Sequence, residues 1–227
     1  MKKWFLLAPI LLALGVFANQ GSAFAGNSSA TVCNGDLVAG NYVRVIVPEG
    51  AFCFSEGYVN IKKGVLVREG GTFVLGSEDN PVPTGFINGG VVGLNAASVQ
   101  IHFTRISGGI NLQGGFGPFG PPFDVTWNTI EDSTIHGNVS ITNYDGFWQG
   151  FFRNKVYGNV TFNNNQVVDT DGNEVQTNAI HGSISCQNNF PAPQSGDSGG
   201  HSNVIDGFHK YQCASIDSNK TPEGQGD

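Results

Sequence analysis

Apolar residues recur along this chain in one short phrase, apolar-x-Gly-x-apolar-x-apolar, clearest over residues 133–213. It reads Ile135-His136-Gly137-Asn138-Val139-Ser140-Ile141, then Val156-Tyr157-Gly158-Asn159-Val160-Thr161-Phe162 and Ile180-His181-Gly182-Ser183-Ile184-Ser185-Cys186. A looser copy, Ile205-Asp206-Gly207-Phe208-His209-Lys210-Tyr211, puts His209 and Tyr211 at apolar places. Asn154, Asn178 and Asn203 each stand two residues before a copy. The first apolar position can be followed through Ile61, Ile87, Ile106, Ile135, Val156, Ile180 and Ile205, at intervals of 26, 19, 29, 21, 24 and 25 residues. Upstream, Val45-Ile46-Val47 is echoed by Val65-Leu66-Val67, and Phe52-Cys53-Phe54 by Thr72-Phe73-Val74-Leu75.

Period-two alternation places one set of side chains toward a shared interior. A coil built mostly of two short strands joined by a Gly turn cannot bury that face alone, whereas stacked coils can, at about 4.8 Å per step. Repeats of this length are those of a solenoid. The pattern predicts one all-β domain over residues 26–215, a right-handed parallel β-helix of seven or eight coils, with a β-sandwich as the alternative. Gly93 at an apolar place makes one coil imperfect, and the Gly-, Pro- and Phe-rich residues 114–124 read as a loop leaving the stack. Asn143, Asn164 and Asn188 recur eight residues after a phrase start and are expected to form a ladder of stacked amides.

The ends of the chain define the compartment. Lys2 and Lys3, an apolar run over residues 4–17 and Ala23-Phe24-Ala25 have the organisation of a signal peptide spanning residues 1–25. The apolar run is short for a membrane span, no second one follows, and residues 216–227 form a polar tail. The expected product is secreted, extracellular or periplasmic, without a transmembrane segment in its mature form. Net charge is −7, and more negative once Lys2 and Lys3 are removed. Nucleic acid is excluded as a partner, because phosphate binding needs clustered Lys and Arg.

Cys33, Cys53, Cys186 and Cys213 allow three pairings. Contacts in a solenoid run between neighbouring coils, which selects Cys33–Cys53 and Cys186–Cys213. No C-x-x-C or paired-His motif supports zinc, and no metal or cofactor is expected.

The matching segments resemble right-handed parallel β-helix proteins. More narrowly, Val47-Pro48-Glu49-Gly50-Ala51-Phe52-Cys53, the Ile135 and Val156 phrases, and the closing run from Cys186 to Cys213 resemble a group of small secreted bacterial proteins with repeated V-x-G-N-V-x-V phrases and Cys near both ends. The resemblance implies a fold over nearly all the mature chain. That group has no established activity, so no functional residue is carried over.

Candidate chemistry is sparse. Gly196-Asp197-Ser198-Gly199-Gly200 matches a serine-protease nucleophile string, but it lies in a Pro/Gly/Ser run without the His context that chemistry needs. Asp169-Thr170-Asp171-Gly172-Asn173-Glu174 fails the calcium-loop pattern and reads as a hairpin turn between residues 166–168 and 174–176. Acidic residues look scattered, and Arg105, Arg153 and Lys155 have no acidic cluster beside them in sequence, which disfavours the alternative of a polysaccharide lyase or glycoside hydrolase on the β-helix face. The residue after each phrase start faces outward: Lys62, Asn88, Ser107, His136, Tyr157, His181 and Asp206. The last four, with Trp148, form the expected binding surface of a non-catalytic protein for a polysaccharide or another cell-envelope component.

Overall fold

The computed structural model describes residues 29–117 and 124–216. The expected signal peptide and most of the expected polar tail therefore lie outside the described residues. So do residues 118–123 of the expected loop, whose first part, residues 114–117, is irregular chain that Gly114 and Gly115 still bond to the next coil.

Every named strand pairs in parallel with its counterparts in the coils before and after it. The chain winds as a right-handed parallel β-helix, and parallel pairing throughout eliminates the β-sandwich. Three sheets of nine, seven and eight strands form its sides, here called A, B and C in the order the chain visits them. In sheet C the phrase-start residues stack directly: Ile61 on Ile87, Ile87 on Ile106, Ile106 on Ile135, and so on to Ile205. The chain turns through the phrase glycine and enters sheet A, where Val65, Val91, Ile110, Val139, Val160 and Ile184 form the next column.

The turn explains the glycine. A Cβ on Gly137 would sit 2.5 Å from the carbonyl carbon of Gly108, and one on Gly158 2.6 Å from that of Gly137. Backbone stacks on backbone at this corner, leaving no room for a side chain. The interior is one continuous cluster of Val, Ile, Leu and Phe, most of them without solvent contact.

Two ladders of buried asparagines fasten the coils at the other corners. Asn178 accepts from the Asn154 backbone N–H through Oδ1 (2.9 Å), and its own N–H donates to Asn203 Oδ1 (3.0 Å). Its Nδ2 donates to the Phe151 carbonyl (2.7 Å) and to Asn203 Oδ1 (2.8 Å). Asn165 and Asn189 repeat this arrangement, which ends on Gln212. The expected ladder of Asn143, Asn164 and Asn188 lies one residue before the second of these. Those residues take φ of 59°, 56° and 54°, and Asn188 Nδ2 donates to Asn164 Oδ1 (3.1 Å). Asparagine is favoured there because it tolerates left-handed backbone. The fully buried amides belong to the next position along.

Two other expectations resolve here. Cys33 pairs with Cys53 and Cys186 with Cys213, with Cα separations of 5.5 and 5.1 Å. The hairpin around Asp171-Gly172 does not form. Asn173–Gln176 pairs in parallel with the strand Trp148–Phe152, and Gln166 bridges in parallel to Phe190. The Asp-Gly turn carries the chain around a corner from sheet A to sheet B, because coil stacking supplies partners that a local hairpin would otherwise have to provide.

Replacing Asn178 by Ala strands two buried backbone groups of the preceding coil, the Asn154 N–H and the Phe151 carbonyl, each costing about 1–3 kcal/mol. We expect N178A to lower unfolding free energy by at least about 2 kcal/mol in denaturant titration. Asn188→Gly, at an exposed left-handed position, should change it by only a few tenths.

Candidate functional site

Sheet B differs from its neighbours. Strands of sheets A and C alternate buried and partly exposed residues, as in Val139–Thr142. In sheet B, Ser98–His102 is buried at all five positions, and Trp127–Glu131 and Trp148–Phe152 at all but the first. Its inward residues are Val99, Ile101, Ile130, Phe151 and Val175. The alternate residues point away from the core, yet are covered by one another and by flanking loops.

The outward residues align in columns. Ser98, Trp127 and Trp148 share one register position, Gln100, Thr129, Gly150 and Glu174 the next, and His102, Glu131, Phe152 and Gln176 the third. Ser98 follows from its two-residue offset to Gln100, opposite Thr129. Toward the N-terminal coils the face opens into a cleft of about 450 Å³, with Phe52, Phe54, Trp127 and Trp148 among its walls and Gln100, His102, Thr129 and Glu131 along its floor. Phe52 and Phe54 stack with centroids 5.3 Å apart. A second hollow of about 280 Å³, beside Asp36 and Leu37, shares Phe54 and Glu56 with the cleft. The groove thus crosses the strands along the helix axis, touching six successive coils, or roughly 24 Å at the spacing of paired strands.

The groove floor carries a charge network that sequence reasoning missed. His102 Nδ1 lies 2.6 Å from Glu131 Oε1, and Arg153 donates to Glu131 Oε2 at 2.6 Å. Arg153 also grips Asp132 with both Nε and an Nη (2.8 and 2.7 Å). The expectation that Arg153 has no acidic cluster beside it is therefore corrected: two carboxylates from the preceding coil meet it. Asp132 and Arg153 occupy the corner after sheet B with φ of 51° each, which aims both side chains along the helix axis. The hydrogen bond to Asp132 leads the influences that raise the Arg153 pKa. Burial opposes it, and the charges of Asp132 and Glu131 reinforce it. Arg105 instead lies over the Phe86 ring, 5.7 Å from its centroid.

Farther along, Trp148 Nε1 donates to Glu174 Oε1 (2.7 Å) and Gln176 Nε2 to Glu174 Oε2 (3.1 Å). Burial pushes the Glu174 carboxyl pKa up. Hydrogen bonds from Trp148 and Ser198 oppose this, while Asp197 and Asp171 add to it. Ser198, of the protease-like string, thus faces a carboxylate, and none of its described hydrogen bonds involves an imidazole.

Of the expected surface residues, the structure brings four together and sets the fifth apart. His136, Tyr157 and His181 stack in successive coils, with centroids 4.7 and 4.9 Å apart, and His181 Nδ1 lies 2.7 Å from Asp206 Oδ2. Both faces of the Tyr157 ring are covered by imidazoles, and Lys155 Nζ lies 5.1 Å from its centroid. The stripe leaves Tyr157 only its edge to offer a ligand. Trp148 belongs to sheet B and to the groove instead. Ser107 Oγ donates to Asn88 Oδ1 (3.0 Å) in the same outward column.

Comparison of the chain with protein-family models, with curated proteins and with solved structures returned no match. The reading of this face rests on its own geometry.

Three outcomes follow. Tyr157→Ala removes two ring stacks and should destabilise the fold by about 1–3 kcal/mol, at 0.5–1.5 kcal/mol per pair, as read by thermal unfolding. Arg153→Ala removes a cation from a Glu131 carboxylate that remains buried. It should cost more than Arg105→Ala, by at least about 1 kcal/mol in the same assay. Glu174, with a folded pKa above its unfolded value, binds a proton more tightly when folded, so its ionisation destabilises the protein as pH rises through that folded pKa. Glu174→Gln should therefore be more stable than the parent at neutral pH. The difference should vanish in acid below the ordinary carboxylate range, as read by denaturant titration across pH.

Proposed function

We propose that this chain is an exported, non-catalytic protein that binds an extended glycan of the cell envelope or its surroundings along the outer face of sheet B. The observation carrying this reading is the groove. Aromatic rings on its walls suit the apolar faces of sugar rings, and the amide, hydroxyl and imidazole groups on its floor suit sugar hydroxyls. Its length across successive coils fits a chain of sugars better than a single one, and a β-helix supplies a rigid base. Export is supported by the signal-like N-terminus, by cysteine pairs that favour an oxidising compartment, and by the resemblance to small secreted bacterial β-helix proteins. No helix among the described residues is long and apolar enough to cross a membrane.

A second reading, a polysaccharide lyase or hydrolase on the same face, is favoured by the contact of His102 with Glu131 at the groove floor. We rank it lower because Glu131 is also bound by Arg153, so this carboxylate is held in a closed network rather than presented to a ligand.

Incubating the protein with a panel of envelope and plant polysaccharides separates the readings. Retention on a glycan, without new reducing ends or unsaturated products, is expected. Retention should fall at least tenfold in Trp127→Ala/Trp148→Ala and stay unchanged in Tyr157→Ala. Product formation would establish the enzyme, and absence of retention on every glycan would remove the binding reading.

A further inference from the structure

Resting on that glycan reading, we infer that the groove selects sugars bearing protonated amines, such as a partly deacetylated hexosamine polymer, over neutral or uronic ones. The charged residues lining the groove are almost all acidic. Glu56, Glu78 and Asp79 flank the main cleft, and Asp36 and Glu56 flank its extension. No Lys or Arg is among the described lining residues of either part. Glu131 is ion-paired with Arg153, but Glu56, Glu78 and Asp79 form no ion pair among the described residues. These three are exposed, so their charge acts on whatever enters.

The floor adds polar groups to this acidic rim. His102 is 5% exposed, its ring lines the cleft, and its Nδ1 lies 2.6 Å from Glu131 Oε1. Beside it, Gln100 and Thr129 also line the cleft. Sugar hydroxyls suit such imidazole, amide and hydroxyl groups, and a sugar ring held there places its neighbouring substituents between the aromatic walls and the acidic rim. An ammonium there is attracted by the carboxylates and by the faces of Phe54 and Trp127, since cations favour aromatic faces. A uronate brings like charge against the same rim, and its repulsion is strongest at low salt.

The test uses three oligosaccharide sets of equal length: glucosamine oligomers, N-acetylglucosamine oligomers and oligogalacturonates. Binding to the full mature protein is measured by calorimetry at low and at physiological salt. The glucosamine oligomer should bind at least tenfold more tightly than its acetylated form at low salt, with the preference shrinking as salt rises. The combined Glu56→Gln, Glu78→Gln and Asp79→Asn variant should lose that preference while keeping its affinity for the acetylated oligomer. Glu69→Gln, which removes an exposed charge outside the groove lining, should keep the preference. Equal affinity for both hexosamine oligomers, tightest binding of the oligogalacturonate, or a preference that survives the triple variant would overturn the inference and leave the glycan reading standing. If none of the three sets binds, the inference falls, and the glycan reading stands or falls on the wider panel.

Discussion

Coil-to-coil registration is the constraint on which this molecule depends. Each coil finds its backbone partners only in the coils above and below it, so a slip of one residue would turn apolar columns outward along a whole sheet. Three devices prevent slippage. The phrase glycines let backbone pack on backbone at one corner. The Asn154–Asn178–Asn203 and Asn165–Asn189 ladders clamp the other corners through both side-chain and main-chain groups. The columns of Val and Ile reward the same register with burial. Buried amides would be liabilities if any were unpaired, but within a ladder each satisfies the next.

That registration also builds the groove. Stacking converts residues far apart in sequence into neighbours a single strand apart, so the outer face of sheet B is assembled from one or two side chains per coil. Trp127 meets Trp148, and Glu131 lies between His102 and Arg153, because their coils are held in register. At the left-handed corner after sheet B, Arg153 then reaches Asp132 of the preceding coil. A rigid frame holds these groups before any ligand arrives, which reduces the ordering cost of binding.

Much of this was legible in the chain before the structure. The phrase starts stack as their spacing implies, the cysteines pair between neighbouring coils, and His136, Tyr157, His181 and Asp206 do form one outward column. The groove was harder to see, for a physical reason. Glycine and apolar periodicity mark sheets C and A, whereas sheet B starts after corners of variable length, so its register is not announced by a motif. The signal was nevertheless present in the intervals. The 29 residues separating Ile106 from Ile135 also separate His102 from Glu131, and the 21 separating Ile135 from Val156 also separate Asp132 from Arg153. Applying the repeat interval to charged residues, as well as to apolar ones, would have found the network. The hairpin reading of Asp171-Gly172 failed because local turn chemistry cannot reveal that strand partners come from another coil.

Two of the three tryptophans in the chain lie in the groove, which makes them reporters of its occupancy. The most direct measurement of the central claim is indole fluorescence of the mature protein during titration with a glycan that it retains. The account predicts a saturable change in emission whose midpoint matches the binding midpoint, carried by Trp127 and Trp148. Full binding with no change in indole emission would place the ligand on another face and contradict the assignment of sheet B as the recognition surface.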